Sequence, residues 1–290
     1  MRTLRDGVRT AGPARLLFVH AHPDDETLTT GVALAHHVAG GDDVHVLTCT
    51  LGEEGEVIPA PLAHLEGRGE ALAAHRREEL ARAMDLLGVT HHLLGAARPG
   101  AAPAFRDSGM AGSAAAADPR AFAGVPLDVA ADAVREVVER VVPDVVVTYD
   151  AGGGYGHPDH VRTHDATRRA VAALGERAPV LLGAMVPLTW AGEDREWLAA
   201  HVPDGEGWVV PGEGNPYAAN VVPDEVVTRA VVDAEAERRR TRALREHETQ
   251  VVVGEGWYAL SNRYVFRLAG REGYARLDPA TGRPVPEGAA

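Results

Sequence analysis

Short apolar runs alternate with stretches of helical periodicity over the first two thirds of the chain. Residues 16–19 form such a run, and the apolar positions of 27–38 recur with the spacing of a helix. The same alternation repeats and predicts the order βαβαβαβαβ, which favours a parallel sheet with right-handed crossovers. The other predicted strands are 44–50, 90–94, 145–148 and 180–185, and the other predicted helices are 68–87, 127–141 and 160–174.

Beyond Pro187 the pattern loosens. Residues 193–223 are rich in loop-forming residues, and 225–249 is predicted as one long helix with charges along its length. Short strand-like pieces follow near Val251 and Tyr264. We therefore expect a smaller C-terminal lobe that covers one edge of the sheet.

The predicted fold is α/β, a Rossmann-like, mostly parallel sheet flanked by helices, with a smaller C-terminal α/β lobe over the active-site edge. Its doubly wound form has the strand order 3-2-1-4-5, in which the first and fourth strands are neighbours. We divide the single catalytic unit into a metal-binding core, 1–186, and a lobe that completes the substrate pocket, 187–290.

Two clusters of histidine and aspartate follow the first and fourth predicted strands. In the predicted sheet both clusters lie at the carboxyl edge, where ligands bind in open α/β sheets. A simpler reading of the first cluster is that Asp24 or Asp25 only caps the next helix. The clusters are His22, Asp24 and Asp25 in the first, and His157, Asp159 and His160 in the second.

The residue types in these clusters suit a catalytic divalent metal. Two imidazoles and one carboxylate, with a position left for water, are typical of hydrolytic zinc sites, and ferrous iron accepts the same ligands. We expect one such metal per chain. A neighbouring carboxylate is then free to take a proton from the water. A nucleotide-binding loop of the GxxxxGK[ST] type is excluded because the chain has no lysine, and no GxSxG or HExxH motif is present.

Composition narrows the class of protein further. The net charge of −13 argues against a nucleic-acid or anionic-membrane partner, and no apolar run approaches the length of a membrane span. A single cysteine, Cys49, excludes a disulfide framework and a thiolate-rich zinc site. With no apolar segment of a secretory signal before Leu16, we expect a cytoplasmic protein.

The two motifs together resemble those of the PIG-L-type metal-dependent N-acetylglucosaminyl deacetylases, in particular the actinobacterial mycothiol-pathway branch. The likeness extends from about Leu16 to Arg267, although 59–67, 97–103 and 188–216 fit poorly. The segments that carry it are AHPDDE (21–26), TCTLGEEGEV (48–57), RDSGMAG (106–112), VVVTYD (145–150), GGYGHPDHV (153–161), TQVVVG (249–254) and ALSN (259–262).

The resemblance implies a role for individual residues. It implies His22, Asp25 and His160 as zinc ligands and Asp24 as the general base. The remaining implied roles are His157 as general acid or oxyanion stabiliser, Asp159 as the carboxylate that orients a histidine, Tyr155 as a loop residue that polarises the amide carbonyl, Arg76 and Asp107 as partners of sugar or inositol hydroxyls, and Met110 as a packing contact for the sugar.

The implied substrate is a small amino-sugar inositol, N-acetylglucosaminyl-inositol, whose acetamide is hydrolysed to acetate and glucosaminyl-inositol. An alternative is the related mycothiol S-conjugate amidase, which tends to carry a lysine just past HPDDE, where this chain has Leu28 and Thr29. A third possibility is a non-catalytic sugar-binding or metal-storing protein. Simpler roles also exist for Arg76, as an ion-pair partner of Glu79, for Asp107, as a turn cap, and for Tyr155, as a packing residue.

Overall fold

A computed structural model describes residues 2–8, 12–96, 101–203, 207–212 and 214–286. Its main element is a sheet of eight strands in the order β3-β2-β1-β4-β5-β11-β7, with β6 paired to β5. The strands are β1 (Arg15–His20), β2 (Asp43–Thr48), β3 (Thr90–Leu93), β4 (Val145–Tyr149), β5 (Val180–Pro187), β6 (Val221–Val222), β7 (Arg229–Val232) and β11 (Arg271–Arg276).

The first five strands are parallel and have the predicted order, which confirms the α/β fold. Strand β11 runs antiparallel to both β5 and β7, so the C-terminal residues extend the same sheet. A separate antiparallel sheet has the order β10-β9-β8. Its strands are β8 (Val252–Val253), β9 (Trp257–Ala259) and β10 (Val265–Arg267).

Helices cover both faces of the main sheet. Alternate residues of β1 point to opposite faces, as Leu16 and Phe18 belong to one buried cluster and Leu17 and Val19 to the other. Helices α1, α2 and α7 pack into the first cluster, and α3 and α5 pack into the second. The helices are α1 (Asp25–Ala39), α2 (Gly69–Leu87), α3 (Leu127–Val141), α4 (Gly153–Gly156), α5 (Pro158–Ala172), α6 (Leu188–His201) and α7 (Ala234–Leu244).

The prediction was wrong in two places beyond Pro187. Helix α6 covers residues 188–201 and so extends into 193–223, the stretch that was predicted as loop. The long helix predicted for 225–249 is a strand, β7, followed by the shorter helix α7, which Asp233 caps by accepting hydrogen bonds from two backbone N–H groups. Pairing with β11 decides the strand, because tertiary contacts override the helical pattern of charges there.

Glu272 of β11 links the end of the chain to helix α1. This buried carboxylate accepts hydrogen bonds from the backbone N–H groups of Val32 and Ala33, both at 2.8 Å. Arg240 of α7 donates to the backbone oxygens of Thr27 and Leu28, one turn earlier in α1, each at 3.0 Å. Two residues that lie more than 200 positions later in the chain therefore bind the backbone of the helix that begins at Asp25.

Among the described residues, no helix is both long and apolar enough to cross a membrane. Residues 98–100 of the expected substrate loop at 98–123 lie outside the described residues, as do 204–206 and 213 in the poorly matching segment. The described part of the loop is ordered by two backbone hydrogen bonds, one between Arg106 and Arg120 and the other between Phe122 and Arg106, both at 2.9 Å. The division of the chain at 186/187 stays a prediction.

Candidate metal centre

The first cluster lies in the sharp connection between β1 and α1. Asp24 occupies the N-cap position of α1, but its side chain makes no capping hydrogen bond. The Asp25 carboxylate instead turns back and accepts the backbone N–H of His22 at 2.9 Å. Capping alone therefore does not account for the two aspartates, and the turn brings the side chains of His22 and Asp25 together.

The second cluster lies at the start of α5 and is built from local interactions. His157 is the N-cap, and its Nδ1 accepts the backbone N–H of Asp159 at 3.2 Å. Pro158 occupies the first helical turn, where its missing N–H leaves no hydrogen bond unmade. His160 then projects from the first turn of the helix, on the side that faces β1.

Three donor atoms from the two clusters converge because β1 and β4 are adjacent. His22 Nδ1 and His160 Nε2 are 3.3 Å apart, and Asp25 Oδ2 lies 3.3 Å from the first and 3.2 Å from the second. A tetrahedral metal with bonds of ~2.0 Å holds its ligand atoms ~3.3 Å apart. The predicted ligand set therefore has the spacing of one face of a zinc tetrahedron.

The other nitrogen of each histidine has a partner that leaves the converging nitrogen available. His160 Nδ1 lies 3.2 Å from the backbone oxygen of Gly153, to which it donates when Nε2 carries the lone pair. His22 Nε2 lies 3.2 Å from Asp159 and 3.5 Å from Asp107. Such partners orient metal-binding imidazoles and make them more basic. Asp159 thus lies where it can orient His22.

The charges of these groups depend on one another. Burial lowers the pKa of His22, but the carboxylates of Asp107, Asp159 and Asp25 outweigh it and raise that pKa well above the ordinary value. Burial acts to raise the pKa of Asp25, yet His160 and His22 hold it well below the usual range. A divalent cation at this place would likewise be attracted by the buried carboxylates.

His157 adds an alternative donor set. One ring nitrogen of each of His22, His157 and His160 lies within 4.8 Å of the other two. The set that contains Asp25 is tighter, at 3.2–3.3 Å. His157 Nδ1 is already engaged with the Asp159 amide, which leaves the Nε2 side of the ring for the site. We therefore favour Asp25 over His157 as the third ligand.

Three further candidate residues are at least partly exposed. Asp24 is partly exposed, and burial together with the charges of Asp25 and Glu26 raises its pKa well above the ordinary value. A bound divalent cation opposes this rise. The Tyr155 ring is 61% exposed and its centroid lies 5.1 Å from that of His160, and Met110 is 57% exposed on the loop after β3.

Arg76 and Asp107 are more enclosed than a surface contact for a sugar. Arg76 is 3% exposed and donates to the backbone oxygens of Gly52 and Glu56. Asp107 is 4% exposed and accepts the backbone N–H of Gly109 at 2.8 Å. Both side chains fix loops beside the cluster. The alternative ion pair of Arg76 with Glu79 is not observed. The Glu79 carboxylate instead accepts the backbone N–H and the hydroxyl of Thr249.

Tyr149, at the end of β4, was missed by the sequence reasoning. Its ring stacks on that of His160, with centroids 4.4 Å apart and planes at 11°. Its hydroxyl accepts the backbone N–H of Ala21 at 2.9 Å, and burial together with the charge of Asp25 raises the pKa of that hydroxyl. The signal was its position, at the end of a buried strand and next to the glycine-rich loop. Tyr149 therefore contacts one predicted ligand, His160, and the turn that carries the others.

Comparisons with known proteins agree with this arrangement. The family model described as PIG-L, GlcNAc-PI de-N-acetylase, matches residues 17–171, which include both clusters. The chain belongs to the PIG-L family. A relative in Rhodococcus opacus (strain B4) is 46% identical over 265 residues, which cover 86% of each chain. It is named 1D-myo-inositol 2-acetamido-2-deoxy-alpha-D-glucopyranoside deacetylase, and other relatives at 41–43% identity carry the same name.

Solved structures of more distant proteins share the fold of this PIG-L member. A deacetylase of the teicoplanin biosynthesis pathway is 23% identical, with a TM-score of 0.51 over 91% of this chain and 99% of that one. The 4-carboxy-2-hydroxymuconate hydratase GalB of Pseudomonas putida is 16% identical, with a TM-score of 0.53 over 96% and 100%. The fold thus accompanies more than one reaction, and the function has to be argued from the site.

Proposed function

We propose that this chain hydrolyses the acetamide of N-acetylglucosaminyl-inositol to acetate and glucosaminyl-inositol, as a step of mycothiol biosynthesis. The observation that carries the proposal is the convergence of His22, Asp25 and His160, with Asp24 left over beside them. The relatives named for this reaction, at 41–46% identity over most of the chain, support the substrate.

We propose that His22 Nδ1, Asp25 and His160 Nε2 hold one divalent metal, zinc or, with the same ligands, ferrous iron. When bound, this ion supplies a water of lowered pKa and polarises the amide carbonyl. The protein residues prepare the site before binding. Asp159 and the Gly153 carbonyl orient the two imidazoles, and Tyr149 stacks on the ring of His160 and binds the backbone of Ala21.

Asp24 is proposed as the general base. It is adjacent to the ligand Asp25, partly exposed, and its carboxylate makes no capping bond that would occupy it. Burial and the charges of Asp25 and Glu26 raise its pKa, which favours acceptance of a proton by this carboxylate. The proton it accepts has to reach the leaving amine, which departs as the amino group of glucosamine.

His157 and Tyr155 are proposed to act on the other side of the amide. Because His157 Nδ1 accepts the Asp159 N–H, a neutral ring carries its proton on Nε2. Of the two roles that the resemblance implies, this arrangement favours stabilisation of an oxyanion over donation of a proton to the amine. Tyr155 sits on an exposed glycine-rich turn next to His157, from which its hydroxyl can approach the same oxygen.

For the sugar and inositol, we propose Met110 as a direct packing contact because it is exposed on the loop whose Ser108 amide binds Asp159. Contacts of Arg76 and Asp107 with substrate hydroxyls stay predictions. Their bonds to loop backbone support a role in holding residues 52–56 and 107–109 in place. The cytoplasmic location also stays a prediction.

The decisive experiment measures acetate release from N-acetylglucosaminyl-inositol by protein of known metal content. We expect turnover that requires the metal and returns when zinc or ferrous iron is restored to the stripped protein. Faster cleavage of a mycothiol S-conjugate in parallel assays would favour the amidase instead. A protein that binds metal and sugar but releases no acetate would be a binding protein.

A further inference from the structure

We propose that His247 and Gln250, which follow helix α7, are positioning residues that hold Asp24 in its working conformation. This inference rests on the proposed role of Asp24 as the base. Both residues lie more than 220 positions after Asp24 in the chain, and neither touches the three predicted ligand atoms.

Asp24 has a backbone conformation that side chains rarely adopt. Its φ is 104° and its ψ is −35°, a region that favours glycine. Among the described residues other than glycine, only Val142 and Arg263 also have a positive φ. Such a conformation costs free energy and persists only when surrounding contacts enforce it. The structure must therefore contain contacts that hold residue 24.

The first contact runs through Glu26. One oxygen of this fully buried carboxylate accepts the backbone N–H of Asp24 at 3.2 Å. The other lies 3.1 Å from Nε2 of His247, which is also fully buried, and accepts the hydroxyl of Thr27 at 2.6 Å. His247 thus fixes the carboxylate that in turn fixes the backbone of residue 24.

The second contact reaches the preceding residue. Gln250 Nε2 donates to the backbone oxygen of Pro23 at 2.7 Å. Pro23 and Asp24 share a peptide unit, so its oxygen and its N–H are both bound, the first by Gln250 and the second by Glu26. Holding both ends of one peptide unit restricts its rotation. Rotation of that unit is what relaxation of φ at Asp24 requires.

A purely structural role for the buried Glu26–His247 pair would also lower stability on mutation. The two roles differ in what else changes. A positioning role predicts a specific loss in kcat with metal retained, and a loss that disappears once Asp24 itself is gone. A structural role predicts losses that are the same with or without Asp24.

The kinetic test uses His247→Leu and Gln250→Met, which remove the donors, and His247→Gln, which keeps one. Glu248→Gln is the matched control, since that exposed side chain lies between the two in sequence and, among the described residues, forms an ion pair only with His75, at 3.8 Å. We expect kcat to fall about 10- to 100-fold in the first two variants, a range typical of groups that support a site, with KM and metal content little changed. His247→Gln should recover most of the rate.

The same substitutions are then made in Asp24→Ala. Positioning through Asp24 predicts no further loss there, because two residues that act as a unit are not additive. An equal loss in both backgrounds, or loss of bound metal in Gln250→Met, would overturn the inference. Full activity of Asp24→Ala itself would instead overturn the proposed base, so the two failures are distinguishable.

A thermal test needs no activity. Asp24→Gly and Asp24→Ala both lack the carboxylate and differ in their tolerance of positive φ, so the glycine variant should melt at the higher temperature. With Gln250→Met or His247→Leu added, residue 24 is free to relax and the difference should shrink. An unchanged difference, or none in any background, would contradict the inference.

Discussion

The two turns that form the proposed metal centre are stabilised in different ways. The turn at 157–160 is shaped by its own residues, a proline in the first helical turn and a histidine cap that accepts an amide two positions later, and distant amides bind only its Asp159 carboxylate. The turn at 22–26 contains a strained residue and is held by contacts from 247–250. Both carry predicted ligands, yet only the turn at 157–160 follows local rules.

The difference indicates a division of labour. The local turn carries one predicted ligand, His160, whose ring lies against a backbone carbonyl. The strained turn carries two adjacent carboxylates, Asp24 and Asp25, for which we propose different roles. Strain at a site of this kind is consistent with function, since the surrounding structure maintains it at a cost.

The largest effect should come from removing a ligand from either turn. His22→Ala and His160→Ala should each lose the metal and reduce kcat/KM by more than the ~100-fold typical of supporting groups. His64→Ala, an exposed histidine that contacts only its own turn, is the control. Metal analysis after desalting, together with acetate release, tests this. Retention of full metal by either variant would remove that residue from the ligand set.

Substitutions of the two adjacent carboxylates of the strained turn should differ in their effect on metal content. Asp24→Ala should keep its metal and lose about 10²- to 10⁴-fold in kcat, the contribution of a general base. Asp25→Ala should lose the metal as well, because Asp25 Oδ2 is one of the three converging atoms. Metal content measured alongside kcat distinguishes them, and identical behaviour of the two variants would contradict the assignment.

A smaller effect is expected from the support of the local turn. Asp150 accepts the backbone N–H groups of Gly152 and Gly154, both at 2.7 Å, and so holds the loop whose Gly153 carbonyl faces His160. Asp150→Ala should weaken metal affinity about 10- to 100-fold. Titration with a competing chelator measures this, with the surface variant Asp165→Ala as control. Unchanged affinity would mean that the loop is held without Asp150.

The smallest effect concerns strain away from the site. Val142 ends helix α3 with φ 52° and is 66% exposed, so nothing in its surroundings uses that conformation. Val142→Gly should raise the free energy of unfolding by about 1 kcal/mol, the penalty for a left-handed residue less the entropy of glycine. Thermal unfolding tests it. Activity should stay unchanged, in contrast to every variant at residue 24.

The sequence was sufficient for the first five strands, their order and the meeting of the two clusters. Apolar runs such as 16–19 and 145–148 lie between turn residues, and a parallel sheet leaves few orders to choose from. The convergence of the two clusters follows from that order, whereas the choice of His22, Asp25 and His160 within them came from the resemblance to the family. The cluster itself could therefore be placed before any coordinates were known.

The features that the sequence did not predict depend on contacts between distant segments of the chain. Strand β7 has a sequence that fits a helix until β11, some forty residues later, pairs with it. The burial of Arg76, the stacking of Tyr149 and the contacts of His247 and Gln250 likewise join distant segments. No periodicity within one segment reports such contacts, so the strained turn looked like an ordinary helix start.

The hydrogen bonds of Glu272 to helix α1 have a consequence for biosynthesis. A ribosome adds residues in order, and the carboxylate that binds the amides of Val32 and Ala33 is added 240 and 239 residues after them. We expect nascent chains halted before residue 272 to leave this helix without two of its hydrogen bonds and to capture metal poorly. Metal capture by the growing polypeptide is then expected only after residue 272 has been added.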